Sequence, residues 1–308
     1  MLMNYSKHRE WFEHTNPKIL SRSYTVVDQP IKRSIKREFL YTEEDFKFIK
    51  DIVYDVSGIH LSDVKQDMVY SRLARRLRAL KLVTFKQYCR YLETHRQDEL
   101  TNAINAITTN LTHYFREVHH FDRLRTDILP ELSRQQPRGK RLRIWSAGCS
   151  TGEEPYSIAM TVRDALPNYS AWDSKILATD LDSNVIAHCR EGIYDIKRIE
   201  PVDKNMANKW FKPVPNKPNL VSIDAELKRD ITFKELNLMN AWPINGPFDV
   251  IFCRNVVIYF DKPTQQKLFK RFYDMLAPNG YLFLGHSEQL GDHQKHFELL
   301  GNTAFQKK

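Results

Sequence analysis

One stretch of this chain restricts its fold more than any other: a β-prone run, a turn with two glycines, and a helix that opens on two carboxylates. The run holds Leu142, Ile144 and Trp145, and the turn holds Gly148 and Gly152. A strand, a glycine turn and a helix in this order form the corner of an open α/β sheet where phosphates or nucleosides bind. The stretch therefore predicts an α/β sheet with a ligand site at this turn.

The two acids after the turn, Glu153 and Glu154, indicate which kind of ligand the turn could bind. A dinucleotide site needs bare backbone N–H groups at the helix N-terminus for the pyrophosphate, which Glu153 and Glu154 would repel. Both acids suit a cationic or hydroxyl-rich ligand such as S-adenosylmethionine (SAM), which carries a sulfonium, an ammonium and a ribose diol. The alternative is an ordinary strand–helix turn whose acids are favoured by the helix dipole. This stretch alone leaves both interpretations open.

The bulk composition sets the class of protein. The chain has 308 residues, 42% of them hydrophobic and 28% charged, which is typical of a globular protein with room for two domains. It has no apolar run near the roughly 18 residues of a membrane span, and its start lacks the apolar stretch of a signal peptide. We therefore expect a cytoplasmic protein without direct membrane insertion. No metal site or disulfide framework is expected, because the four cysteines are far apart: Cys89, Cys149, Cys189 and Cys253.

The chain divides into three predicted parts. Residues 1–37 are polar and basic without clear periodicity and form a predicted basic N-terminal extension. Residues 38–120 are predicted to be a small all-helical domain, and residues 121–308 an α/β domain. Helical spacing of apolar residues, with a capped start at Thr42, supports the helical domain over 43–57, 64–82, 84–93 and 97–107.

In the α/β domain short apolar strands alternate with helices, which is typical of an open, mostly parallel sheet covered on both faces. One helix has strong boundary signals, starting at Asp261 and ending before Pro278. Residues 190–235 contain several prolines and break the alternation, so we expect a small inserted β-subdomain with a hairpin there. The predicted strands cover 142–147, 175–179, 248–252 and 280–285.

Polar residues follow several of these strands, where open α/β sheets bind their ligands. Asp180 ends the second strand and could accept hydrogen bonds from both hydroxyls of a ribose; alternatively it caps the next helix, a role that Asp182 could fill instead. Segments 235–238 and 254–255, each taken singly, indicate structure more readily than function. The domain junction 108–117 holds more hydrogen-bonding side chains than one helix cap needs.

Four motifs carry a resemblance to a known family. They are Thr-Thr-Asn-x-Thr-x-aromatic-Phe-Arg-Glu at 108–117, Ser-Thr-Gly-Glu-Glu-Pro-Tyr-Ser at 150–157, Phe-Cys-Arg-Asn-Val-x-Ile-Tyr-Phe-Asp at 252–261 and Gly-His-Ser-Glu at 285–288. In this order they closely resemble the chemotaxis receptor methyltransferases of the CheR type. The resemblance implies transfer of a methyl group from SAM to glutamate side chains of chemoreceptor cytoplasmic helices, with S-adenosylhomocysteine as product. It also implies a Rossmann-like methyltransferase domain with an inserted β-subdomain, preceded by a small helical domain.

The resemblance further implies roles for individual residues. Arg116 and Tyr259 would lie closest to the point of methyl transfer and serve as the catalytic residues. The implied cofactor-binding residues are Asn110, Thr112 and Arg116 from the domain junction, Glu154 for the methionine or sugar portion, Asp180 for the ribose, and Asn237, Leu238, Arg254 and Asn255 along the adenine and methionine ends.

Methyl transfer to a carboxylate needs no general base, because a glutamate with a pKa of about 4.3 is already ionised at neutral pH. The 11 histidines are accordingly interpreted as surface or core residues, with His286 as a packing residue. Some members of the family grip a receptor C-terminal peptide with a glycine-rich loop. The corresponding stretch here, 212–219, has three prolines and no glycine, so we do not expect such tethering.

The net charge of +9 predicts an acidic partner, and charge alone leaves nucleic acid, a membrane surface and an acidic protein open. The helix 64–82 carries a basic face with Arg72, Arg75 and Arg76. Such a face is often merely solvated, but the resemblance favours a docking surface for the acidic helical bundle of a chemoreceptor, bound by a monomer. The competing hypotheses are a nucleic-acid methyltransferase and a non-enzymatic module that keeps the cofactor as a ligand.

Overall fold

The structure is a computed structural model that describes residues 37–135 and 140–308. The predicted basic extension 1–37 lies outside the described residues except for its last one. In the described part, no helix is both long enough and apolar enough to cross a bilayer.

Four helices form the N-terminal lobe, and local capping explains where the first begins. The Thr42 hydroxyl accepts from the Asp45 N–H at 3.2 Å, while the Asp45 carboxylate accepts from the Thr42 N–H at 2.9 Å. This first helix ends just before Gly58, whose φ of 71° is unfavourable for any residue with a side chain. The predicted helices are confirmed as α1 (Glu43–Ser57), α2 (Gln66–Leu80), α3 (Phe85–Thr94) and α4 (Arg96–Ile107).

Strands and helices alternate through most of the rest of the chain. After α5 (His119–Arg123) and α6 (Leu129–Gln135) the strands are β1 (Arg141–Ala147), β2 (Asp173–Asp180), β3 (Ile193–Asp195), β4 (Phe211–Val214), β5 (Lys217–Ile223), β6 (Ile231–Glu235), β7 (Phe248–Cys253), β8 (Leu276–Leu284), β9 (Phe297–Gly301) and β10 (Ala304–Lys307). The helices between them are α7 (Glu153–Ala165), α8 (Ser183–Glu191), α9 (Lys204–Trp210), α10 (Ala225–Asp230) and α11 (Lys262–Met275).

Seven strands form one sheet in the order β6-β2-β1-β7-β8-β10-β9. The first five are parallel, whereas β10 runs antiparallel to both β8 and β9. The strand order reverses between β1 and β7, and the carboxyl ends of β2, β1 and β7 meet at this point. Ligands of open α/β sheets bind at such a switch point, so the topology brings the segments after these strands together.

The inserted sheet is smaller than the sequence indicated. Strands β3, β5 and β4 form a separate antiparallel sheet, and the β4–β5 hairpin turns at Asn216 with a φ of 59°. The predicted insertion extended to residue 235, but β6 pairs with β2 at the edge of the main sheet. The local sequence of Ile231–Glu235 is strand-like in either place, and only its long-range pairing assigns it to the main sheet.

The helical lobe shares its core with one face of the main sheet. Leu73 and Phe85 belong to the same buried cluster as Trp145 and Phe269. Backbone contacts also join the lobe to the segment after β7, since the His60 N–H donates to the Tyr259 carbonyl at 2.7 Å. The lobe is therefore held beside the switch point of the sheet.

Candidate functional site

A cavity of about 320 Å³ lies between the helical lobe and the carboxyl ends of the strands. Its walls contain every residue that the sequence assigned to cofactor binding or catalysis, namely Asn110, Thr112, Arg116, Glu154, Asp180, Asn237, Leu238, Arg254, Asn255 and Tyr259. The predicted docking arginines Arg72, Arg75 and Arg76 do not line it. The cavity thus gathers residues from five segments far apart in sequence, while their individual roles stay predictions.

The glycine turn after β1 forms the floor of the cavity. Gly148 and Gly152 have φ values of 88° and 100°, which favour glycine. A Cβ on Gly148 would lie 2.3 Å from the Val256 side chain, so the turn packs closely on the segment after β7. The Gly148 and Cys149 N–H groups donate to the Thr179 carbonyl at 2.8 and 2.9 Å, which fixes the turn beside the end of β2.

Asp180 is held at the end of β2 by backbone donors. Its two carboxylate oxygens accept from the Ser150 and Asp182 N–H groups at 2.8 and 3.0 Å. Burial raises the pKa of Asp180, and these hydrogen bonds oppose the rise. Asp182 caps α8 by accepting from the Asn184 N–H at 2.9 Å, and it also accepts from the Asn110 amide at 2.9 Å. The capping role therefore belongs to Asp182, which leaves Asp180 facing the cavity.

The buried Arg254 and the half-buried Glu154 form an ion pair in the cavity wall. Arg254 lies 3.2 Å from Glu154 and 3.3 Å from Glu117, so one guanidinium bridges two carboxylates. Glu154 also accepts from the Ser146 hydroxyl at 2.7 Å. Burial raises the pKa of Glu154 against the opposing charge of Arg254. For Glu117 the burial effect is outweighed by Arg254 and His286, which lower its pKa to about 2.

Glu153 does not face the cavity, although the sequence indicated that both acids after the turn suit a ligand. Its side chain is buried and pairs with Arg198 of the insertion at 2.8 Å. It also accepts from the Thr151 hydroxyl at 2.7 Å. Because a helix turns by about 100° per residue, adjacent acids point in different directions, and only Glu154 faces the cavity.

Asn237 and Leu238 follow β6 and line the side of the cavity next to α1. The Asn237 amide donates to the Val56 carbonyl at 2.6 Å, and its side-chain oxygen accepts from the Met239 N–H at 2.9 Å. Both ends of this side chain are therefore engaged within the protein. The segment is fixed against the end of α1, where it closes the cavity.

Arg116 and Tyr259 lie at the mouth, on opposite segments. Arg116 donates to the Leu111 carbonyl at 3.0 Å and makes no ion pair within the described residues. The Tyr259 hydroxyl lies 3.5 Å from the Thr109 carbonyl, and the Lys65 ammonium lies 5.8 Å from the Tyr259 ring centre. An arginine without a carboxylate partner at the mouth of a cavity is suited to bind an incoming carboxylate.

A carboxylate that the sequence motifs did not single out shapes this mouth. Glu288 is buried and accepts from the Gly285, Asn255 and Ile258 N–H groups at 2.6, 2.9 and 3.3 Å. It holds the turn that carries Asn255 and Tyr259. The Gly-His-Ser-Glu motif contains Glu288 and its partner Gly285, but it gives no sign of the other two partners, Asn255 and Ile258, which lie 33 and 30 positions earlier in the chain.

His286 is not the packing residue that the sequence analysis expected. Its side chain is 70% exposed, and its Nδ1 lies 3.2 Å from Glu117. His120, by contrast, is buried, with its Nε2 at 2.5 Å from the Asn302 carbonyl. Burial and the charge of Arg254 lower the pKa of His120 to about 4.

Two of the three predicted docking arginines are engaged inside the lobe. Arg76 makes a two-pronged contact with the buried Glu99 at 2.9 and 2.6 Å. Arg72 donates to the Thr108 carbonyl and the Thr109 hydroxyl at 2.9 and 2.8 Å. Arg75 is exposed and has no ion pair in the described part of the chain. Of the three, Arg75 is the one oriented for an external partner.

Comparison with known proteins identifies the family. Residues 110–306 match the CheR methyltransferase, SAM binding domain, and residues 44–108 match the CheR methyltransferase, all-alpha domain. The chain belongs to the CheR methyltransferase family. A probable chemotaxis protein methyltransferase of Rhizobium etli is 45% identical over 257 residues, covering 82% of this chain and 96% of that protein. Chemotaxis protein methyltransferase 2 of Pseudomonas aeruginosa is 42% identical, covering 87% and 95%. The Escherichia coli chemotaxis protein methyltransferase is 41% identical, covering 86% and 91%.

Membership in the CheR family confirms the predicted resemblance, the fold class and SAM as the cofactor. The donor set of the cavity fits this cofactor. Two carboxylates, Glu154 and Asp180, line the cavity, and SAM carries two positive charges and a ribose diol that such groups can bind. Each Asp180 carboxylate oxygen accepts one hydrogen bond from a backbone N–H group, that of Ser150 or that of Asp182, and a carboxylate oxygen can accept a second one from a hydroxyl group.

Proposed function

We propose that this protein transfers the methyl group of SAM to glutamate side chains on the cytoplasmic helices of chemoreceptors and thereby tunes chemotactic adaptation. The observation that carries the proposal is the polarity of the cavity. Carboxylates at Glu154 and Asp180 suit the cationic cofactor, whereas the unpaired Arg116 stands at the mouth, where a carboxylate would enter. The relatives are chemotaxis protein methyltransferases, which supports a substrate within the chemotaxis machinery.

The residues of the cavity act by binding and alignment. When bound, SAM supplies an electrophilic methyl group on its sulfonium. Asp180 holds the ribose and Glu154 the methionine portion, while Arg116 orients the substrate carboxylate and Tyr259 fixes its angle of approach. A glutamate is already ionised at neutral pH, so no base has to remove a proton. Alignment of two reactants can lower a barrier by about 7–11 kcal/mol.

Arg116 must orient the substrate without neutralising it. A tight, two-pronged ion pair would lower the nucleophilicity of the attacking oxygen. Arg116 already donates one N–H group to the Leu111 carbonyl, so part of its donor set is committed to the protein. We therefore propose a contact to the carboxylate oxygen that does not attack.

The partner is proposed to be the acidic helical bundle of a chemoreceptor, bound by a monomer. Arg75 projects from α2 toward solvent, and Lys65 at the start of α2 lines the cavity. A positive surface next to the mouth attracts an acidic helix and speeds its encounter with the enzyme.

The test is incubation of the protein with SAM labelled on its methyl group and a purified receptor cytoplasmic fragment. Carboxyl methyl esters are hydrolysed by mild base, so the expected label on the receptor is released as methanol. Label that resists base would indicate methylation of nitrogen or of another oxygen and would contradict the proposal. A receptor fragment with its exposed glutamates changed to alanine serves as the matched control and should stay unlabelled.

A further inference from the structure

The mouth of the cavity exposes two aliphatic side chains. Leu111 is 79% exposed and Ile258 is 48% exposed, and both line the cavity. A single exposed aliphatic residue is ordinary on a protein surface. These two, however, come from segments far apart in sequence and adjoin the two residues at the mouth. Leu111 accepts a hydrogen bond from Arg116 through its carbonyl, and Ile258 directly precedes Tyr259. We call this pair the apolar rim.

The backbone of the apolar rim is anchored on both sides. On one side the Asn110 carbonyl accepts from the Ser150 hydroxyl at 3.1 Å, next to the Arg116 contact with Leu111 at 3.0 Å. On the other side the Ile258 N–H donates to Glu288 at 3.3 Å. Both side chains are therefore presented to solvent from fixed positions, which is suited to a preorganised contact surface.

We propose that the apolar rim determines specificity by binding aliphatic side chains of the receptor helix that carries the target glutamate. This inference rests on the proposed function and adds the substrate-binding surface to it. Residues three or four apart on a helix are neighbours, about 5–6 Å between Cβ atoms. A helix that presents a glutamate to Arg116 also presents the side chains one turn away to the mouth, which Leu111 and Ile258 line.

The basic side chains near the apolar rim favour a receptor helix that is acidic. Lys65, which directly precedes α2, lines the cavity, and Arg75 lies on the exposed face of α2. The surface therefore combines basic side chains on the α2 side with the apolar rim at the mouth. An amphipathic acidic helix matches both features. Free glutamate, or an acidic peptide without helical structure, satisfies only the charged part.

The test compares the rim variants Leu111→Ser and Ile258→Ser with matched controls. Leu299 and Val83 are 51% and 65% exposed and lie outside the cavity, so Leu299→Ser and Val83→Ser remove similar exposed groups elsewhere. For each variant the KM and kcat are measured with the receptor fragment, and the Kd of SAM is measured by calorimetry. Each rim variant is expected to raise the KM for receptor by on the order of tenfold, with an unchanged Kd for SAM. The rise should persist at high salt, since apolar contacts are not screened.

Three results would overturn the inference. Rim variants that keep the wild-type KM while wild-type protein labels the receptor would refute the rim and leave the proposed function intact. A Kd for SAM that rises in step with the KM would assign the two side chains to the cofactor. Wild-type protein that fails to label the receptor would remove the proposed function, and this inference with it.

Discussion

At the scale of single residues, the site depends on which charges find a partner inside the protein. Glu153 and Arg198 neutralise each other, and Arg254 is shared between Glu154 and Glu117. Arg116 differs from these residues, because it has no carboxylate partner in the described structure. A charge that the protein leaves unpaired at a cavity mouth is available to a ligand.

Replacing Arg116 by alanine tests this availability. We expect Arg116→Ala to lower kcat at least about hundredfold, as the loss of one positioned donor commonly does, while the Kd of SAM rises much less. Single-turnover kinetics and calorimetry give the two quantities. Arg116→Lys retains the charge without the planar fork and should restore part of the rate. Equal kcat values for wild type and Arg116→Ala would contradict the role.

Glu288 is expected to position the mouth without touching the substrate. Glu288→Ala leaves the N–H groups of Gly285, Asn255 and Ile258 without their acceptor, and each buried unpaired donor costs about 1–3 kcal/mol. We expect lower thermal stability and weaker SAM binding. Glu288→Gln keeps one acceptor oxygen and should have a milder effect on both. Glu298, exposed on β9, provides the control Glu298→Ala. Unchanged stability and SAM binding in Glu288→Ala would refute the assignment.

At the scale of elements, helix α2 has two functions that its sequence does not separate. Its inner arginines hold the helical lobe together, whereas Arg75 faces outward. The same helix thus packs against α4 through Arg76 and Glu99 and offers a cation to a partner. A variant in which Arg72, Arg75 and Arg76 are all changed to Glu would lose both receptor docking and stability of the lobe, and the two effects could not be separated.

Single reversals separate the two functions. Arg75→Glu should raise the KM for the receptor severalfold, with an effect that shrinks at high salt and a Tm near that of wild type. Arg76→Glu places a second acid beside the buried Glu99 and should lower the unfolding free energy by about 3 kcal/mol. Urea unfolding and initial rates at two salt concentrations distinguish these outcomes. A fall in stability for Arg75→Glu equal to that for Arg76→Glu would contradict the division.

At the scale of the whole molecule, stability should depend on pH through His120, which joins α5 to the β9–β10 turn. Burial and Arg254 lower its pKa from an ordinary 6.5 to about 4. Between these pH values the unfolded chain binds a proton that the folded protein does not, so the unfolding free energy falls as the pH falls. We expect a loss of about 2 kcal/mol between pH 7 and pH 5 from this residue.

Urea unfolding at the two pH values measures this dependence, and His120→Gln should flatten it. Arg254 and His119 oppose protonation of His120, while Glu117 and the Asn302 carbonyl favour it. Glu117, with a pKa of about 2, stays ionised in the folded protein until the pH approaches 2, and its contribution to the unfolding free energy declines only below about pH 4.5. Identical slopes for wild type and His120→Gln would show that another group is responsible.

The sequence predicted the main strands, and all ten residues that it assigned to cofactor binding or catalysis line the cavity. Strand ends and turn residues carry local signals in the sequence, which is why these positions could be found. Asp180 and Glu154 could be found because each follows a strand or a glycine turn. The missing parts are pairings across long distances in sequence. The Glu153 pair with Arg198 and the Arg76 pair with Glu99 depend on how elements pack, and no local spacing reveals them. The same reason explains why Ile231–Glu235 was placed in the insertion instead of at the edge of the main sheet.

A crystal structure of the protein with S-adenosylhomocysteine tests whether the cofactor binds between the helical lobe and the sheet. We expect the ligand in this cavity, with both ribose hydroxyls hydrogen-bonded to Asp180 and the sulfur near Arg116 and Tyr259. Density for the ligand elsewhere, or in the cavity with Asp180 and Glu154 turned away from it, would contradict the account.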